Sequence, residues 1–384
     1  MSYTFPVTRT THPKPKPDQS NLGFGKYFTD HMFIMDYDEG QGWHDGKIVP
    51  YGPISLDPAS CVLHYAQMMF EGMKAYRTPD GKINLFRPDM NAKRLNRTNE
   101  RMCIPFMDEE LFIEAVKATV HADEDWIPTA PGTALYIRPY IISDEVSFSV
   151  EPAKHYHFII ILCAVGAYYD INRGGLTGSH IYVEDEYIRA AVGGTGFAKV
   201  GGNYAGGMRA TKKALEAGCK EVLWLDARDH KYVEEVGTSN AFFMINDEII
   251  TAPLGGSILP GVTRDSTITL LRKWGYKVSE RKLSIDDIEA ASKDGTLQEA
   301  WATGTACRYC VSHCPQGLDI PDLLALYNEH RFTGGGFIAP MALSSFPEDK
   351  RPGACVGCRS CEAVCPQQLK ISEAMADFCR LLAK

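Results

Sequence analysis

Two apolar runs frame the first half of the chain. Residues 134–142 (Ala134-Leu-Tyr-Ile-Arg-Pro-Tyr-Ile-Ile142) and 156–163 (Tyr156-His-Phe-Ile-Ile-Ile-Leu-Cys163) are short and rich in β-branched and aromatic residues. Both predict strands, and the second is apolar enough to be central. Residues 109–120 carry helical signals, so strands and helices alternate from Phe28 to about Tyr169. Residues 172–179 are glycine-rich and polar and read as an interdomain linker. A second unit follows, with a helix over 204–217 and a strand over 221–225. Residues 241–245 and 248–251 flank Asn246-Asp247, the signature of a hairpin turn. A helix over 263–274 opens on a threonine cap and stops at Gly275, and Ser284 with Asp287 caps another short helix. Residues 1–21 are polar and proline-rich and read as a loose arm. After Ala306 the texture changes to cysteine, proline and glycine punctuation.

Composition narrows the class. The 384 residues allow two or three domains, and 45% hydrophobic with 23% charged residues is ordinary for a globular protein. A net charge of -8 argues against nucleic acid as a partner. No apolar run approaches a membrane span and the N-terminus has no signal core, so the expected location is cytoplasmic. Of twelve cysteines, Cys61, Cys103, Cys163 and Cys219 are scattered and read as small buried apolar residues. The other eight follow residue 306, and Cys379 among them takes the same bland reading.

Three segments carry candidate chemistry. Gly193-Gly-Thr-Gly-Phe-Ala-Lys-Val-Gly-Gly-Asn-Tyr204 sets Lys199 between glycine-rich loops, which let a backbone approach a flat ligand closely. The bland alternative is a turn with a solvated lysine, and the spacing fits neither a phosphate loop nor a dinucleotide fingerprint. Leu259-Pro-Gly-Val-Thr-Arg264 opens a helix whose free amides suit a phosphate, or is a capped helix after a proline turn. Residues 233–240 put Glu234 and Glu235 in a strand-like apolar context, or are an exposed acidic pair.

The ordered set of motifs resembles the fold-type IV branched-chain amino-acid aminotransferases over residues 23–306. It comprises residues 25–32 and 51–58, Phe70-Glu-Gly-Met-Lys-Ala-Tyr76, residues 85–88, Asn91-Ala-Lys-Arg94 and residues 135–139. It continues through residues 193–204, 235–238, 259–264 and 303–306. The resemblance implies an α+β fold of two domains, 1–170 and 171–306, with a truncated C-terminal end and a homodimer as the assembly. It implies that Lys199 holds pyridoxal 5'-phosphate and shuttles a proton, with Glu235 on the pyridine nitrogen and Tyr204 on the phenolic oxygen. Arg94, Val262, Thr263 and Thr305 would bind the phosphate. Thr238 and Ala306 would lie near the substrate carboxylate, and Tyr65, Phe70, Tyr136, Arg138 and Tyr168 would line the substrate pocket. Phe197 departs from the small or polar residue usual at its position.

Cys355-Val-Gly-Cys-Arg-Ser-Cys-Glu-Ala-Val-Cys-Pro366 matches C-x2-C-x2-C-x3-C-P, a spacing that wraps a [4Fe–4S] cluster. Zinc and free thiols are the alternatives. Residues 307–315 repeat the motif without its first cysteine, where Gly304 stands. Residues 307–384 are similar to the ferredoxin-like iron–sulfur extension at the end of some aldo/keto reductases. By that resemblance Cys355, Cys358, Cys361 and Cys314 complete one cluster, while Cys307, Cys310 and Cys365 leave a second one ligand short. The expected activity is transfer of the amino group of leucine, isoleucine or valine to 2-oxoglutarate. The rival is an electron-transfer iron–sulfur protein on an inactive aminotransferase scaffold, served by a redox partner.

Overall fold

The computed structural model describes residues 3–305 except Pro79, Pro131 and 167–178, and beyond them residues 327, 340, 343, 344, 348, 351–355 and 371–382. The chain divides into two compact units: Met1–Tyr168 with Ser179–Cys307, and Tyr169–Gly178 with Arg308–Lys384. No helix among the described residues is long and apolar enough to cross a membrane.

The first unit contains two sheets. The first is built from β1 (Tyr27–Asp38), β2 (Gly42–Pro50), β3 (Met68–Phe70), β4 (Met73–Arg77), β5 (Ile83–Leu85), β6 (Ala134–Ser143) and β7 (His155–Val165). Its order is β2-β1-β7-β6-β4-β5, with β3 also on β6, and every pairing is antiparallel. The two apolar runs are β6 and β7, paired from Ala134↔Val165 to Ser143↔Tyr156. Helices α1 (Cys61–Tyr65), α2 (Pro88–Met102) and α3 (Glu109–Ala122) accompany this sheet. Leu95, Phe112, Ala115 and Val116 from α2 and α3 pack with Phe33, Phe158, Ile160 and Leu162 in one core. Alternate β7 residues Cys163 and Val165 pack with Tyr136 in a separate cluster, so β7 is apolar throughout.

The second sheet holds β8 (Ile181–Glu184), β9 (Glu221–Leu225), β10 (Val233–Val236), β11 (Ser239–Ile245), β12 (Glu248–Thr251), β13 (Lys277–Glu280) and β14 (Leu297–Thr303). Its order is β13-β12-β11-β10-β9-β8 with β14 on β11, and β8–β9 and β12–β13 are parallel. Helices α4 (Gly201–Ala205), α5 (Met208–Glu216), α6 (Val262–Lys273) and α7 (Ile285–Asp294) belong to it. Asn246 and Asp247 both have positive φ, 50° and 61°, as the hairpin turn requires. Ser284 and Asp287 form a reciprocal capping box on α7.

Four expectations are corrected. The helix over 204–217 is two helices, because Gly206 and Gly207 interrupt it and Gly207 packs against the Trp224 ring. The cap of α6 is Gly261, not Thr263, which lies inside the helix, and no side chain caps it. The N-terminal arm is not loose. Thr8 N–H donates to the Ile48 carbonyl and Ile48 N–H to the Pro6 carbonyl, while Thr10 N–H donates to His31 Nε2 and Lys14 N–H to Asp30. Cys61 and Cys163 are buried as expected, but Cys103 is exposed and Cys219 half-buried.

In the second unit α8 (Ile371–Leu382) buries Met375 and Phe378. Tyr327 donates to Asp377 at 2.8 Å.

Candidate active site

Lys199 follows a glycine-bounded turn, and its neighbours Ala198 and Val200 are buried. Its Nζ lies 3.0 Å from the Tyr204 hydroxyl, which α4 presents five residues later. The Lys199 ammonium is 4.7 Å from the Phe70 ring centre, and Phe70 meets Tyr204 edge-on at 4.9 Å. Phe70 ends β3, where its N–H donates to the Lys199 carbonyl at 3.0 Å. Tyr136 and Arg138 alternate along β6 onto one face. Arg138 donates to the Tyr136 hydroxyl at 3.0 Å and lays its guanidinium over Phe70 at 4.7 Å. The Arg138 Nε is buried and has no protein partner. One cluster therefore unites Lys199, Tyr204, Phe70, Tyr136 and Arg138.

Glu235 faces inward on β10 at 3% exposure, while Glu234 faces the other way and accepts from Ser257. The Glu235 carboxylate accepts from Arg189 Nε, from Asn240 Nδ2 at 2.9 Å and from Leu259 N–H at 3.0 Å. Burial raises its pKa, against the opposing pull of Arg189 and then of Lys199. Burial likewise raises Glu234.

Arg94 is buried on α2 and forks onto Glu71, Nε to Oε1 at 2.8 Å and Nη2 to Oε2 at 2.7 Å. Its Nη1 donates to Pro260 O at 3.2 Å, at the head of α6, where Val262 and Thr263 are the first two helical residues. Gly261 is required there, because a Cβ would overlap Asn240 Oδ1. Burial would raise the Glu71 carboxyl, but the Arg94 guanidinium outweighs it and holds the group low. Thr305 lies just past β14 and donates to Gly72 O at 3.3 Å.

Other sequence-predicted residues fall elsewhere. Tyr65 ends α1, 43% exposed, and donates to Phe148 O at 2.7 Å rather than joining the lysine cluster. Thr238 is exposed in the turn between β10 and β11. Phe197 is half-buried. Tyr168, Ala306, Cys307, Cys310, Cys314, Cys358, Cys361 and Cys365 lie outside the described residues, and Cys355 is half-buried after a short turn. Glu71, Arg189, Asn240 and Thr98 were missed by sequence reasoning. Glu71 alone left a signal, a carboxylate between Phe70 and Gly72 in an otherwise apolar motif.

The site fits pyridoxal phosphate on its own chemistry. A lysine amine beside a phenol, a buried carboxylate and an uncapped helix start with an adjoining arginine are the donors such a group needs. Thr303 Oγ1 and Arg138 Nε remain buried without partners.

Residues 68–308 match the family described as amino-transferase class IV, and residues 304–371 match the 4Fe-4S dicluster domain. The chain is 55% identical to branched-chain-amino-acid transaminase 1 of Bacillus subtilis, covering 78% of this chain and 83% of that one. It is 52% identical to branched-chain-amino-acid aminotransferase 2 of the same organism, over 79% and 83%. The crystal structure of the Escherichia coli branched-chain amino acid aminotransferase superposes with a TM-score of 0.60 at 26% identity, over 72% and 84%. That of the T.th. branched-chain amino acid aminotransferase, complexed with N-(5'-phosphopyridoxyl)-L-glutamate, gives 0.57 at 27%, over 71% and 83%. The chain belongs to the class IV aminotransferases, within the branched-chain amino-acid aminotransferase family.

Proposed function

We propose that this protein is a pyridoxal-phosphate transaminase that moves the amino group of leucine, isoleucine or valine to 2-oxoglutarate, with Lys199 as the cofactor lysine. The convergence of Lys199 and Tyr204 at 3.0 Å, with Phe70 and Arg138 against them, carries this reading. When bound, the cofactor supplies an electron sink for charge developing at the substrate Cα. Lys199 Nζ holds the group and moves the proton, and Tyr204 orients that amine and donates to the phenolic oxygen. Glu235, kept in place by Arg189 and Asn240, holds a proton on the ring nitrogen. Arg94, the α6 start at Val262 and Thr263, and Thr305 hold the phosphate.

Phe70 and Tyr136 form an apolar wall for branched side chains, and Tyr65, bonded to Phe148 O, lies outside that cluster within the chain. The family resemblance adds Tyr168 to the wall and assigns Thr238 and Ala306 to the α-carboxylate. The unpartnered Arg138 Nε is suited to the second carboxylate of glutamate and 2-oxoglutarate. Structures of the T.th. relative with a phosphopyridoxyl-glutamate and with 4-methylvaleric acid support both substrate classes. A homodimer belongs to this reading, supported by the exposed apolar residues Leu63, Tyr65, Phe148 and Val150. The test is a leucine plus 2-oxoglutarate assay of the purified chain beside Lys199→Ala. An iron-rich, cofactor-free and inactive preparation would favour the rival electron-transfer reading.

For the C-terminal segment the reading, drawn from the cysteine spacing and the resemblance to the reductase extension, is one stable [4Fe–4S] cluster on Cys314, Cys355, Cys358 and Cys361. The dicluster-domain match supports four-iron cluster binding in this segment. Cys307, Cys310 and Cys365 hold a second, labile or three-iron centre, because Gly304 supplies no thiolate. Iron and sulfide analysis with paramagnetic resonance tests this, and two robust four-iron clusters would refute it.

A further inference from the structure

The lysine is gripped through its main chain as well as its amine. Its N–H donates to the hydroxyl of Thr98, 101 residues away, at 3.1 Å. Its carbonyl accepts from Phe70 N–H at 3.0 Å. Thr98 is fully buried on α2, one turn after Arg94, so both side chains lie on one helix face. From that face Arg94 reaches Pro260 O, beside the start of α6.

We propose that Thr98 is a positioning residue: its hydroxyl ties the Lys199 main chain to the helix that carries Arg94, so α2 sets the distance between phosphate bed and lysine amine. This rests on the reading of Lys199 as the cofactor lysine. Three features support a positioning role over generic packing. The acceptor is a side-chain hydroxyl, so it can be removed without altering the backbone. Thr98 is fully buried, so deleting its hydroxyl removes the hydrogen-bond partner that the Lys199 N–H has on that side. Phe70 fixes the other side of the same residue, so loss of the hydroxyl frees one side and tilts the side chain rather than releasing the loop.

The test compares Thr98→Val, which keeps the shape and deletes the acceptor, with Thr98→Ser, which keeps it. Thr119→Val is the control, since that buried hydroxyl bonds Ala115 within its own helix. Apoprotein titrated with pyridoxal phosphate should show about tenfold weaker binding for Thr98→Val, equivalent to about 1.4 kcal/mol. The pH midpoint of the bound cofactor's absorbance band should also shift. Thr98→Ser should restore both, and Thr119→Val should change only the melting temperature. A Thr98→Val protein that binds as tightly as the control, with an unmoved midpoint, overturns the proposal. Should Thr98→Val not fold, Thr98→Ala against Thr119→Ala decides by the same two readouts. Lys199→Ala is run in parallel under borohydride reduction and mass analysis. Cofactor still fixed covalently in that variant refutes the reading of Lys199 itself, a result separate from the failure of Thr98.

Discussion

Glu71 and Glu235 are both buried beside an arginine, and both feel the charge of Lys199, yet their carboxyls move in opposite directions. Burial pushes each one up. At Glu71 it is outweighed by a two-pronged Arg94 contact, with Asn91 Nδ2 at 2.7 Å in support. At Glu235 a one-pronged Arg189 contact, Asn240 and the Leu259 N–H do not fully offset it. Glu71 is a closed ion pair whose task is to hold Arg94. Glu235 is under-compensated and gains most from one more positive partner, which a protonated ring nitrogen would supply.

Removing the cation common to both should have the largest effect: Lys199→Ala should abolish nearly all transamination, measured with leucine and 2-oxoglutarate. Arg94→Met opens the closed pair and strands a buried carboxylate, which should cost about 3–5 kcal/mol in urea unfolding of the apoprotein. Glu235→Ala should leave the fold intact and slow turnover about a hundredfold, or roughly 3 kcal/mol. Glu234→Gln, altering the other face of β10, should stay within about twofold by the same argument; equal losses at both positions would erase the distinction between the two faces.

The finest test is the pH dependence of stability. The Glu71 pKa is below its ordinary value in the folded state, so its ion pair stabilises above the ordinary glutamate range and is lost as pH falls through the folded value. The deficit of Glu71→Gln should therefore shrink in acid. The Glu235 pKa is raised, so its ionisation opposes folding once pH exceeds the unfolded value. Glu235→Gln should lose less stability at neutral pH than Glu71→Gln, and compare less well with the parent as pH drops. Thermal melts of apoproteins between acid and neutral pH would show whether the two deficits diverge.

Local periodicity made the strands around residues 134–163 and the Asn246-Asp247 hairpin legible, because each depends on neighbours in sequence. The ordered motifs led to Lys199, Tyr204, Arg94 and Phe70, which the fold brings together or onto adjoining elements. What escaped were partners set by tertiary contact. Thr98 is 101 residues from Lys199, and Arg189 is 46 from Glu235. The helix break at Gly206 and Gly207 escaped because a glycine pair amid helix formers matters only once Trp224 packs beneath it. The arm was misread because its ties run to His31, Asp30 and Ile48, side chains and strand edges that composition does not reveal.

Helix α2 and the cap residue before it reach across with arginines spaced by seven. Arg87 pairs with Asp265 and Ser266 on α6, Arg94 holds Pro260, and Arg101 reaches the Gly193 and Gly194 carbonyls. Seven residues is close to two helical turns, so Arg94 and Arg101 share a stripe that faces the second sheet's elements, and Arg87, the left-handed residue before the helix, reaches α6 from just ahead of it. Opening α2 would release the lysine loop and the phosphate helix in one event. Amide hydrogens of α2, the turn before Lys199 and the first turn of α6 should then exchange with deuterium at a common rate, as one cooperative unit. In such a protein a cofactor bound at the lysine protects amides along all of α2, including turns it never touches.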